Sequence, residues 1–247
     1  GISSAAAIIF FAYIGFDAVS TAAEETKNPQ RDMPIAMMAS LAICTVLYVV
    51  VALVLTGMLD WKQLGTAEPL ATAFSALGMN WASGIISLGA VFATTSVLIV
   101  FQLGQPRIFF SMARDGLLPA WAAKVHPKYR TPHVTTILTG AFVAVFATLL
   151  NINEVVELTN IGTLFAFVLV SIGIVVLRRT DPNRPRPFRA PFVPWVPLFS
   201  CLMCGYLMWQ LPTRTWERFF IWLAIGIVIY FAYGIRHSVL RKANAKG

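Results

Sequence analysis

Long apolar runs, separated by short polar ones, organise the chain. A bilayer core takes about 20 apolar residues in a helix. Seven runs qualify, over residues 3–23, 35–58, 82–111, 134–150, 156–177, 193–211 and 219–234. The pattern predicts an all-α integral membrane protein with about seven transmembrane helices, a single membrane domain over residues 1–247. The third run is unusually long and is expected to tilt or to project past the membrane. Residues 64–79 (LGTAEPLATAFSALGM) are too short and mixed to span; an external re-entrant or surface helix and a plain loop both fit them.

Composition supports lipid as the solvent. Of the 247 residues, 57% are apolar and 12% are charged, whereas soluble domains carry about 25% charged residues. The net charge of +8 would raise nucleic-acid binding in a soluble protein. Here its placement matters more. One alternate set of connections (24–34, 107–132, 178–192 and the tail from Arg236) holds 16 of the 19 Lys and Arg residues. The opposite set holds only Lys62, Arg214 and Arg218. Cytoplasmic loops concentrate Lys and Arg, so the N-terminus is expected outside and the C-terminus in the cytoplasm, in the cell's inner (plasma) membrane. The excess charge then faces anionic lipid, and no nucleic-acid partner is needed.

Boundary residues agree. Asp32-Met33-Pro34 offers an N-cap and an early proline for the second run, and Pro132 and Pro212 stand at run edges. Residues 178–197 (RRTDPNRPRPFRAPFVPWVP) are basic and proline-rich, and are expected to form an extended cytoplasmic loop. Trp61, Trp81, Trp195, Trp209 and Trp216 fall near the run ends, as interfacial aromatics do. Cys44, Cys201 and Cys204 lie in apolar stretches and read as buried thiols. The chain opens at Gly1 with no charged leader, so its first run is not a signal peptide. A fragment of a longer protein is expected.

The first run holds two residues that an ordinary lipid-facing helix would not. Gly15 lies near its middle and Asp17 just beyond. A carboxylate at membrane depth costs at least about 2.5 kcal/mol, so Asp17 should face protein or a water-filled cavity. It either caps a half-helix near the interface or helps shape a polar site. A helix interrupted at Phe11-Ala12-Tyr13-Ile14-Gly15 would free backbone groups at mid-membrane, where they are tolerated only around a cavity. Such groups can bind the charged ends of a small zwitterion, as broken helices do in transporters, and Phe11 and Tyr13 can close over it. Thr94, Thr95 and Ser96 in the third run are cavity-lining candidates, with structural hydrogen bonding the blander reading. Glu154, Glu157 and Asn160 read as interface residues. His126, His133 and His237 have no partner at metal spacing. No catalytic or phosphate-binding motif is present, so neither an enzyme nor a cofactor is expected.

Four stretches resemble a known family: FFAYIGFDAVSTAAEE at 10–25, ETKNPQRDMPIA at 25–36, PRIFFSMARDGLLP at 106–119 and RPFRAPFVPWVP at 186–197. The chain resembles the amino acid–polyamine–organocation superfamily of permeases, and within it the bacterial cationic amino-acid transporter-like branch. The resemblance implies the leucine-transporter-like fold, two inverted five-helix repeats followed by two peripheral helices. This chain matches the second repeat and the peripheral pair. It also implies that the first run is the broken helix of the substrate site. The backbone of Phe11, Ala12 and Ile14, with the Phe11 ring, would receive an amino acid, and Asp17 matches the acidic residue just below. The family's first helix binds the substrate carboxylate and its fifth carries a lysine implicated in proton coupling. Both belong to missing N-terminal helices, the expected partner of this chain.

The leading expectation is part of a secondary amino-acid transporter, a proton-coupled symporter. Two alternatives stand beside it. One is a seven-helix receptor-like protein, although the last run lacks the lysine that a retinal protein needs. The other is a non-transporting membrane subunit.

Overall fold

The computed structural model describes residues 1–16, 18–186 and 188–239. Their regular structure is helical. In chain order the helices are α1 (Ile2–Tyr13), α2 (Pro29–Met58), α3 (Pro69–Ala76), α4 (Asn80–Arg114), α5 (His133–Leu149), α6 (Ile152–Thr180), α7 (Trp195–Trp209) and α8 (Thr213–Ile229). A 3-10 segment, Ala18–Glu25, follows α1, and another, Ala120–Ala123, follows α4. A π-helical turn, Tyr230–Gly234, carries α8 on to a last turn, Ile235–His237.

Helices cover all seven apolar runs. Five stretches are long and apolar enough to cross a membrane, namely Ile2–Thr21, Pro29–Met58, Asn80–Arg114, Ile152–Thr180 and Thr213–His237. The apolar helices α5 and α7 are shorter. At 1.5 Å per residue the 30 residues of α2 extend about 45 Å and the 35 of α4 about 52 Å. Both exceed a hydrocarbon core of about 30 Å, so they tilt or emerge from it. The 15-residue α7 has the opposite problem. Trp195 and Trp209 stand at its two ends, 72% and 80% exposed, where interfacial indoles suit a short span.

The surface is apolar far beyond what water would tolerate. The chain exposes 17608 Å², against about 11,000 Å² for a soluble domain of this length. The 30-residue α2 buries none of its residues. Val46, Leu53 and Phe92 are all more than 60% exposed. In water that surface would drive aggregation; in a bilayer, or against further helices, it is satisfied. The chain is a multi-pass membrane protein.

Two helix groups are present. In the first, α6 packs against α7, α8 and α1 around Ala7, Ile161, Leu164, Cys204, Met208 and Leu211. Phe165 and Phe219 meet edge to face at 5.1 Å within it. At the start of α6, Glu154 pairs with Arg218 of α8 at 2.7 Å, and one turn later Glu157 accepts a hydrogen bond from Thr215 at 2.6 Å. In the second group, α4 packs against α3, α5 and both 3-10 segments, with α2 alongside. There Gln102 of α4 donates to the Thr136 carbonyl of α5 at 2.8 Å, reaching in beside Gly140.

Several sequence expectations need correction. The second run was expected to start around Asp32-Met33-Pro34, but α2 starts at Pro29 with Asn28 at its N-cap. Proline at N1 loses no helical bond, so Pro29 provides the start and Pro34 lies inside the helix. The loop expected from Arg107 begins only after Arg114, because α4 carries most of that motif as helix. Cys204 is buried, but Cys44 and Cys201 are half-buried, since their helices turn those faces toward the exterior. The 178–197 stretch is not simply extended. Helix α6 runs to Thr180, and the Arg186 guanidinium donates to the carbonyls of Leu177, Asp181, Pro182 and Arg184. It thereby pairs carbonyls at the open C-terminus of α6 and folds the loop back. In residues 64–79 the helical alternative holds, as α3 packed on α4.

Candidate functional site

The first apolar run breaks where Gly15 predicts. Regular α-helix ends at Tyr13, and the Ile14 N–H pairs with the Phe11 carbonyl, one residue short of the α-helical partner. Ile14 is extended (φ −64°, ψ 121°) and Gly15 has φ +142°, a region nearly closed to residues with a Cβ. The chain then resumes as the tighter Ala18–Glu25 segment. The two pieces join different helix groups. Helix α1 lies against α6 and α7, while Ala18–Glu25 lies against α2 and α4. The break is thus one of two covalent links between the groups, the other being the Leu150-Asn151 turn from α5 to α6.

Side chains from both groups frame it. The Tyr48 hydroxyl of α2 donates to the Ala12 carbonyl at 2.9 Å, and the Tyr48 ring meets the Tyr13 ring edge to face at 5.2 Å. On the other side, Phe167 of α6 contacts Phe10 before the break (6.1 Å) and Phe16 after it (5.6 Å). Phe11 is 42% exposed. Deeper in α1, Asn160 is fully buried and its side-chain amide donates to the Ala7 carbonyl at 2.9 Å and the Ile8 carbonyl at 3.3 Å.

The candidates from sequence are therefore distributed as follows. Phe11, Ala12, Tyr13, Ile14 and Gly15 all lie at the break. Asp17 lies outside the described residues. Thr94, Thr95 and Ser96 are exposed on α4, where Thr95 bonds back to the Val91 carbonyl at 2.8 Å. Glu154 and Glu157 bind α8, and Asn160 sits in the core rather than at an interface, one α6 turn beyond Glu157. Among the described residues no three potential metal ligands converge. His126 instead accepts backbone N–H bonds from Lys128 and Tyr129. Tyr48 and Phe167 were not singled out from sequence. Each is one aromatic in an apolar run, and only the packing distinguishes it. Asn160 did carry a signal, a polar residue three beyond Glu157 in otherwise apolar helix.

A cavity of about 610 Å³ opens beyond the break. Ser20 and Thr21 line one side, Arg107 and Asp115 of the α4 end another, and Arg130 and Thr136 the third. The break and this cavity are distinct, joined through the 3-10 segment.

Tyr48→Phe isolates one of these contacts. It removes the hydroxyl from the Ala12 carbonyl and keeps the ring contact with Tyr13. A neutral hydrogen bond contributes about 0.5–1.5 kcal/mol, so the backbone around Ala12 is expected to open two- to tenfold more often, with little change in melting temperature. Amide hydrogen exchange at residues 12–16, compared with Tyr48→Leu, which also removes the ring, checks it.

Comparison with known proteins places the chain. A profile described as amino acid permease matches residues 1–231. The branched-chain amino acid permease BcaP of Bacillus subtilis (strain 168) is 47% identical over 98% of this chain and 52% of its own length. The methylthioribose transporter of the same organism is 46% identical over 98% of this chain and 52% of its own. Cationic amino acid transporter 1 of Arabidopsis thaliana is 31% identical over 99% of this chain and 51% of its own. The chain spans about half the length of these relatives. The resemblance read from four motifs thus extends along nearly the whole sequence, and the chain belongs to the amino acid permease family, within the amino acid–polyamine–organocation superfamily.

Proposed function

We propose that this chain is the C-terminal part of a secondary amino-acid transporter that holds its substrate at the break in α1. The observation that carries the reading is the interruption at Ile14–Gly15 inside an apolar stretch able to span a membrane. A broken span presents backbone groups where lipid would not tolerate them, and transporters use such groups for charged substrate ends. In this reading the backbone of Phe11, Ala12, Ile14 and Gly15 receives the ammonium end of an amino acid, and the Phe11 ring covers it. Asp17 contributes its carboxylate to the same site. The cavity beside Ser20 and Thr21 forms the inner mouth of the path. Thr94, Thr95 and Ser96 face helices outside this chain.

The opposite wall comes from N-terminal helices of the same transporter, and a proton is the coupling ion. The bias of 16 basic residues to 3 supports a plasma-membrane protein with Gly1 outside and the C-terminus in the cytoplasm. A relative described as a methylthioribose transporter is as similar as one described as a branched-chain amino acid permease. That supports a second substrate class, a small thio-sugar, for the same break.

The test uses the full-length protein in proteoliposomes. Uptake of tritiated leucine and lysine is measured under a proton gradient, with competition by every amino acid and by methylthioribose. Amino-acid uptake that only amino acids displace supports the first reading; uptake that methylthioribose also displaces supports the second. Asp17→Asn is expected to reduce uptake at least tenfold. Unchanged uptake and affinity would remove Asp17 from the mechanism.

A further inference from the structure

We infer that Asn160 is a positioning residue for the broken helix: it sets the register of α1 against α6 and so fixes where the Phe11–Gly15 backbone is presented. The inference rests on the substrate reading above and adds a residue that makes no substrate contact.

Packing does not explain an asparagine at this place. Asn160 is 0% exposed and is surrounded by a core containing Ala7, Ile161 and Leu164. Its Oδ1 is buried without a partner among the described residues, and a buried polar atom without a hydrogen bond is destabilising. The two carbonyls it binds do not need it. Ala7 and Ile8 lie within α1, where their carbonyls pair with the N–H groups of Phe11 and Ala12 four residues on. An isosteric leucine would fill the space with no orphaned atom.

What the amide supplies is direction. One NH2 group spans two successive carbonyls, at 2.9 and 3.3 Å. A slide of α1 along α6 breaks both bonds, and so does a rotation about its axis. Apolar contacts at Ala7 tolerate either motion far better, because dispersion is non-directional. The two carbonyls are the ladder partners of Phe11 and Ala12, so the restraint acts one turn before the break.

The restraint also has a fixed base. Glu154, Glu157 and Asn160 are spaced three residues apart, each about 60° round α6 from the one before, so the row winds from the α8 side toward α1. The first two tie α6 to α8 through Arg218 and Thr215. The third extends that row of polar contacts to α1. The geometry is that of a register pin, the best-attested use of a single buried polar residue.

The test compares wild type, Asn160→Leu and Asn160→Ser in the full-length protein in proteoliposomes. The probe is tritiated leucine or lysine, whichever the wild type accumulates, and melting temperature in detergent is followed in parallel. Asn160→Leu is expected to melt within a few degrees of wild type, or higher, while its KM rises at least tenfold with a smaller change in maximal rate. A merely structural residue would lower the melting temperature and leave KM alone. If the leucine variant fails to insert, the serine variant, too short to reach either carbonyl, is read by the same criterion. Wild-type KM in a folded variant overturns the inference. Gly15→Ala separates the two levels: wild-type uptake there overturns the reading of the break itself. An impaired Gly15→Ala beside a wild-type KM at position 160 overturns only the role of Asn160.

Discussion

Gly15→Ala is expected to lower uptake by the full-length protein at least thirtyfold without preventing membrane insertion. The methyl group meets no obstacle among the described residues, none of which lies within 4 Å of a Cβ built at Gly15. The penalty is conformational. Gly15 has φ +142°, and holding an L-residue at positive φ costs about 1–2 kcal/mol. Alanine also favours continuous helix over glycine by about 1 kcal/mol. Both effects push the same way, toward closing the break. A bias of about 2–3 kcal/mol is a factor of roughly 30 to 150 in population. A continuous helix would withdraw the carbonyls of Ala12 and Ile14 into its own ladder. It would also alter one link between the α6 group and the α4 group. Uptake together with surface expression checks the prediction, and wild-type uptake at normal expression would refute it.

Gly116→Val is expected to release the C-terminal segment from the end of α4. Gly116 has φ +80°, and a Cβ there would collide with the carbonyl of His237. The obstacle is backbone, so it cannot rotate away. The Val239 N–H also bonds the Asp115 carbonyl at 3.1 Å, and Leu117 lies against Gly234. Any side chain at 116 therefore meets a strained φ and a steric clash together. Each costs about 1–3 kcal/mol, so the docked segment should open at least about thirtyfold more often. Trypsin cleavage after Arg236 should accelerate in proportion, while cleavage in the 181–194 loop should not change. Equal rates at Arg236 would show that the contact does not hold the segment. Gly116 lies in the PRIFFSMARDGLLP stretch that marks the family, and this contact is a physical reason for a glycine there.

The legible part of the site was the break. Glycine in an apolar run, flanked by aromatics and followed by an aspartate, predicts an interruption because lipid penalises each of those features in a plain helix. Asn160 was visible as a polar residue but not as a core residue. Its role depends on which face α6 turns to α1, and that is set by contacts 153 residues apart in sequence. Tyr48 gave no signal, since tyrosine in an apolar run is common and its partner is a backbone carbonyl 36 residues away. The start of α2 was misread for a local reason: two prolines compete there, and only Pro29 stands at N1.

The sequence alone determined the membrane class, the seven apolar helices, the uneven charge of alternate connections and the family, because those follow from local hydropathy, composition and short motifs. Tertiary structure decided how the break is framed. The division of α1 and the Ala18–Glu25 segment between two helix groups, the Tyr48 cap on Ala12, the Asn160 pin and the Gly116–His237 contact all join residues distant in sequence. Their geometry depends on helix rotation and register, which apolar pattern leaves open because burial in lipid or in protein satisfies the same side chains equally well.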